Sequence, residues 1–235
     1  MTIRLTLVCG HTRDVSTDTM FGHGALRDRH LHDAGAVPAV TPFRPPAVRS
    51  PSSCCALTAA ALGLRTTADP ALRDIDHGTW RGRTRAEVAA ADPHGLSAWL
   101  TDPDAAPHGG ESVTQLCHRA AHWLDSLPHQ TGGAVAVAEP AVVKALLVHA
   151  LSVPARAFWW IEVPPLYIVS LVRSADVWSV RPLDGSFPGE AVRHAMACHQ
   201  ADRPRHTVGR QGPRRARTGR DAAQRWLVSV PPARR

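Results

Sequence analysis

The chain has 235 residues, 44% of them hydrophobic, and a formal net charge of +7, which allows one sizeable core and excludes two full domains with linkers. The charge is uneven: residues 186–235 hold eleven Arg and three acids, whereas residues 1–185 hold sixteen basic and seventeen acidic groups. A basic balance confined to a tail carries no information about a pocket in the folded part.

Residues 3–8 alternate as a first buried strand that ends at Cys9-Gly10-His11-Thr12. A polar loop rich in Thr, Asp, Gly and His is expected from there to about residue 34. Residues 51–64 are expected to form a helix, with Pro51 at its start and Gly63 near its end. A second helix is predicted over residues 84–91, opened by Thr84 with Glu87 three residues on. A third is predicted over 96–100, and Asp92-Pro93 with Gly95 breaks the chain between the two.

Residues 112–127 make the clearest amphipathic helix, because Val113, Leu116, Ala120, Trp123, Leu124 and Leu127 recur at intervals of three and four. Gly132-Gly133 then leads into a strand over 134–138 that ends at Glu139, and Pro140 starts a helix over 141–151. Residues 166–172 and 177–180 read as a terminal hairpin around Ser174-Ala175-Asp176. This order predicts an α/β fold, a three-layer α/β/α sandwich around a mainly parallel sheet with an antiparallel edge.

Two domains of unequal kind are expected: a folded domain over residues 1–185, and a Pro/Arg-rich tail over 186–235 that lacks periodicity and is expected to be disordered. The five cysteines are odd in number and contain no C-x-x-C pair, so neither a disulfide framework nor a zinc finger is signalled. The start of the sequence lacks an export pattern, and its most apolar region, residues 145–172, is broken by charges and prolines. A soluble cytoplasmic protein, no membrane association and no cofactor are the expectation, with oligomeric state open.

Several segments together resemble the histidine phosphatase superfamily, in its phosphoglycerate mutase-like branch, over roughly residues 3–183. Ser50-Pro51 followed by Cys54 and Thr58-Ala59 is similar to the family's Ser-Pro-x-x-Arg-x-x-x-Thr-Ala helix. Leu72 to Gly82 resembles its Leu-x-Glu-x-x-x-Gly-x-Trp-x-Gly loop, and Gly109-Gly110-Glu111-Ser112 its Gly-Gly-Glu-Ser turn. Pro140 to Ala145 resembles the helix after its second histidine.

The resemblance implies a phosphomonoester hydrolase acting on a small phosphorylated molecule through a phosphohistidine, a covalent route that splits one hard transfer into two. Two arginines and a second histidine would hold the phosphate, and a glutamate would protonate the leaving oxygen. Laid onto this sequence, the pattern departs at each of these positions but one. Cys9 stands at the first arginine position, Gly10 at the nucleophile, Cys54 at the second arginine and Glu139 at the second histidine, while Glu111 is retained. Residues 26–30 also depart, with His30 where the family has glycine.

His11 serves as a displaced nucleophile only if a bulge at Gly10 restores its aim, since a one-residue step turns a strand side chain to the opposite face; otherwise it is a loop histidine. Glu111 is either the retained acid or a helix cap. Trp80, Trp159 and Trp160 read as core, and His77 and His108 as surface loop, the alternative being that they line the mouth of the pocket.

Three functional readings follow. The first is a rearranged phosphatase using His11 or Glu139 with Glu111. The second is a degenerate pseudoenzyme that serves as a scaffold or binding protein. The third is a metal pocket built from Cys9, Cys54, Glu111 and Glu139. Nucleic-acid binding by the tail would follow from its Arg content alone, without interleaved aromatics or a known motif, and is not favoured.

Overall fold

The computed structural model of the chain describes residues 2–10, 46–128, 133–164, 166–175 and 177–182. The loop expected after the first strand, His11 and His30 within it, and everything from residue 183 onward lie outside the described residues. Every described residue belongs to one compact unit of the chain.

Six strands form one sheet: β1 (Thr2–Cys9), β2 (Ala47–Arg49), β3 (Thr67–Ala68), β4 (Ala134–Ala138), β5 (Ile168–Ser174) and β6 (Val177–Pro182). Their order across the sheet is β3-β2-β4-β1-β5-β6. The first four are mutually parallel, whereas β5 runs antiparallel to β1 and β6 antiparallel to β5. The mainly parallel sheet with an antiparallel edge expected from the sequence is therefore present, and the edge is two strands wide.

Alternation along β1 and β4 builds a core on each face. Ile3, Leu5, Leu7 and Cys9 share one core with Ala136 and Ala138, covered by α4 (Val113–Asp125) and α5 (Pro140–Ala150). Val8, Val135 and Val137 turn to the other face, where Cys55 and Ala59 of α1 (Ser53–Ala61) pack on them. Helices on both faces make the third layer.

Helix starts follow their caps. Ser52 accepts from Cys55 N at the start of α1, and Thr84 and Ser112 each complete a capping box, with Glu87 and Gln115, ahead of α2 (Arg85–Ala91) and α4. The expected break before the third helix shrinks to one residue. Asp92 ends α2 and also caps α3 (Pro93–Thr101) by accepting from Gly95 N at 2.8 Å, so α3 begins three residues earlier than predicted, with Pro93 in its first turn.

Strands β2 and β3, of three and two residues, were too short to give a period of their own. Pairing with β4 through Val48↔Ala136 and Arg49↔Val137 is what makes β2 a strand.

Candidate active site

The C-terminal ends of β1, β2 and β4 meet at one edge of the sheet, where an open α/β fold places its ligands. The β1–β4 ladder runs in register through Cys9↔Ala138, and Gly10 N extends it by donating to Ala138 O at 2.7 Å. Ser50 N likewise donates to Val137 O at 2.9 Å. Gly10, Ser50 and Glu139 are thereby brought side by side.

No bulge interrupts β1 up to Gly10. Gly10 is required for space rather than for an unusual backbone angle: a Cβ there would stand 2.7 Å from the Cys55 sulfur and 3.4 Å from Ala138 O. The direction in which a residue-10 side chain would leave the strand is filled by a thiol of α1.

Cys9 points into the opposite core and is fully buried. Burial, then the neighbouring Cys54 and Glu139, push its thiol far above the usual range, against a smaller opposing effect of Lys144. Cys55 is raised in the same direction, first by burial and then by Glu139. Thiols in this state are neutral small side chains, neither nucleophiles nor charged anchors for phosphate. Cys54, at the second arginine position, is half-buried in the first turn of α1.

Glu139 closes β4 and precedes α5. Ser50 Oγ donates to its Oε1 at 3.0 Å, whereas Oε2 is buried without a hydrogen-bond partner. Although Glu139 occupies the N-cap position, its side chain accepts from none of the helix amides. The single lysine, Lys144, does not reach it: its ammonium lies 5.3 Å from the centre of the Phe158 ring, and burial lowers its pKa against the opposing pull of Glu162. Arg49 donates to Ser50 O at 2.8 Å.

Glu111 is held by a residue that the sequence reading passed over. Arg119 grips it bidentately, Nε to Oε1 at 2.9 Å and Nη2 to Oε2 at 2.7 Å, while Nη1 donates to Ala71 O and Arg73 O. Arg73 adds a longer contact at 3.6 Å. The capping alternative for Glu111 is corrected, because Ser112 is the cap and the Glu111 carboxylate turns to Arg119 instead. Arg119 lies three residues after Leu116 and four before Trp123, so a cation on the apolar stripe of α4 was the available signal for a buried partner.

The turn before Glu111 explains its two glycines. Gly109 has φ +69°, and a Cβ on Gly110 would collide with Asp76 O and stand 2.7 Å from Gly78 N. That close approach lets Glu111 N donate to Asp76 O at 2.7 Å.

His77 and His108 also differ from expectation: both are buried, at 7% and 1% exposure. His108 accepts from Gly110 N through Nδ1 at 3.0 Å, and its ring stands edge-on to those of Trp80, His77 and Trp99, with centroids 5.0, 5.8 and 6.5 Å away. A polar loop carrying so many aromatics folds them inward. Trp80 is core as expected, and Trp159 and Trp160 are half-buried against it.

The metal reading is overturned for the described residues: no group of three or more His, Cys, Asp or Glu is placed to hold an ion. Glu111 is already engaged by arginine, and burial keeps the Cys9 thiol neutral. No helix among the described residues is long and apolar enough to cross a membrane.

A family model described as the histidine phosphatase superfamily (branch 1) matches residues 39–184. A glucosyl-3-phosphoglycerate phosphatase of Mycolicibacterium vanbaalenii is 40% identical over 77 residues, 31% of this chain and 34% of that protein. A bifunctional protein of Mycobacterium tuberculosis is 40% identical over 73 residues, 31% of this chain and 20% of its own length. The matched stretch thus spans about a third or less of these curated relatives.

Among solved structures, the α-ribazole phosphatase from Shigella flexneri superposes with a TM-score of 0.68 at 20% identity, covering 77% of this chain and 96% of that one. A mycobacterial glucosyl-3-phosphoglycerate phosphatase complexed with VO3 gives 0.64 at 25% identity, covering 78% and 99%.

Proposed function

The chain belongs to the histidine phosphatase superfamily, and from that membership and its altered pocket we propose a member whose phosphohistidine chemistry is lost or strongly impaired, the fold serving as a scaffold or binding protein. The observation that carries this reading is the Cys55 sulfur standing 2.7 Å from where a residue-10 Cβ would be. Where the family pattern has a nucleophile, this chain has a glycine with its side-chain space filled.

Supporting magnitudes point the same way. Removing a nucleophile costs on the order of a million-fold in rate in a covalent hydrolase. Each lost charged partner of a phosphate costs roughly 1.5–3 kcal/mol, and both arginine positions are cysteines. Glu139 adds a carboxylate where a dianion would sit, and Glu111 meets a guanidinium in place of a leaving oxygen.

In an active relative the substrate would be a small phosphorylated molecule. We further assign the folded domain to residues 1–185 and a dispensable basic extension to 186–235, in a cytoplasmic protein.

The test is turnover of p-nitrophenyl phosphate and of glucosyl-3-phosphoglycerate by the purified full chain, together with vanadate retention. The expected result is no phosphate release above that of Glu111→Gln and no vanadate bound. Turnover that disappears in His11→Ala would instead establish a relocated nucleophile and a working phosphatase.

A further inference from the structure

Glu139 carries an inference beyond the loss of phosphate chemistry, though resting on it. The residue is 6% exposed, one of its oxygens takes the Ser50 hydroxyl at 3.0 Å, and the other is buried with no donor. Buried acceptors are nearly always paired, and an unpaired carboxylate oxygen is among the costliest exceptions. The positive end of α5 favours a carboxylate at this point, yet no amide of that helix reaches it and Pro140 has no N–H to give. The acceptor is therefore in place and lacks only its donor.

We propose that Glu139 and Ser50, at the C-terminal edge of the parallel strands, bind the primary ammonium group of a small organic amine. A pocket whose family pattern calls for fixed positive charge has here become an acceptor of positive charge.

The hydrogen-bond pattern selects among cations. A guanidinium forks onto both oxygens of a carboxylate, and here one arm of the fork would have to share Oε1 with the Ser50 hydroxyl. An ammonium is a compact charge with three donors and needs no fork. It can give one N–H to Oε2, and a second to the remaining lone pair of Ser50 Oγ, which donates to Oε1 and accepts from Ser52 N at 3.5 Å. A divalent metal would need more anionic ligands than the described residues assemble. The thiols beside the site, kept neutral by burial, add no competing charge.

The experiment is thermal unfolding and calorimetric titration of the full chain with ethylammonium chloride, using guanidinium and sodium chloride at matched ionic strength as comparators and phosphate as the anion probe. A saturable response to ethylammonium is expected, absent with sodium and phosphate and weaker with guanidinium. Affinity should fall about ten- to hundred-fold in Glu139→Gln. Ser50→Ala, which keeps the carboxylate, should weaken it by a smaller factor and serves if Glu139→Gln does not fold. The proposal is overturned if ethylammonium gives no saturable response, or if that response survives unchanged in both variants. Hydrolysis of p-nitrophenyl phosphate is a separate readout: turnover sinks the impaired-phosphatase reading, whereas a silent amine titration without turnover sinks only this inference.

Discussion

At the scale of single residues, the pocket is defined by a pair that no motif contains. Gly10 and Cys55 fit each other because one lacks the Cβ that the other's sulfur would meet at 2.7 Å. Gly10→Ala forces that buried sulfur or the end of β1 to move, a small-to-large change in a packed core that costs about 1–3 kcal/mol. In the Gly10→Ala/Cys55→Ala double variant most of the cost of Gly10→Ala should vanish, and a double-mutant cycle in urea measures that coupling. Additive single effects would show that the contact is not what excludes a side chain. The departures at Cys9, Gly10, Cys54 and Glu139 were readable from order along the sequence, whereas the Gly10–Cys55 complementarity was not. Residues 10 and 55 become neighbours only when α1 packs on the sheet, and the sequence carries no mark of that packing.

At the scale of elements, legibility follows the strength of local chemistry. The capping box at Thr84 was visible as a Thr ahead of a helix with Glu87 three residues on, and the amphipathic stripe of α4 followed from its period, whereas the second box, Ser112 with Gln115, emerges from the structure. What sequence missed is what tertiary contact creates: the short strands β2 and β3, the doubled role of Asp92, and the inward turn of His77 and His108. Because Ser112 starts the helix whose Arg119 grips Glu111, its cap bears on the site as well as on stability. Ser112→Ala removes a hydroxyl that accepts from Gln115 N at 3.2 Å and should lower stability by about 1 kcal/mol. A fall in denaturation midpoint with an unchanged m-value is the expected signature, and an unchanged midpoint would place the start of α4 under tertiary control.

At the scale of the whole molecule, acid should act through the buried histidines. Burial, helped by His108, pushes the His77 pKa down from 6.5 to about 4, and burial lowers that of His108 too. Below about pH 6.5 the unfolded chain takes up the His77 proton before the folded chain does. The contribution is therefore complete above pH 6.5, declines as pH falls towards 4 and is level below that. Between pH 7.5 and 5 the wild type should lose about 2 kcal/mol from this source, measured by urea unfolding, and His77→Phe should lose less. Equal losses in the two would assign the acid sensitivity elsewhere. The strand order has its own consequence for how the molecule comes into being. β1 is made first, yet both of its neighbours, β4 and β5, lie more than a hundred residues later in the chain. On the ribosome the innermost strand must wait, apolar and unpaired, until nearly the whole domain has emerged. Closure of the sheet is thus a late, long-range event of the slow-folding kind, and a nascent chain halted before residue 168 would present β1 as an open edge to other chains.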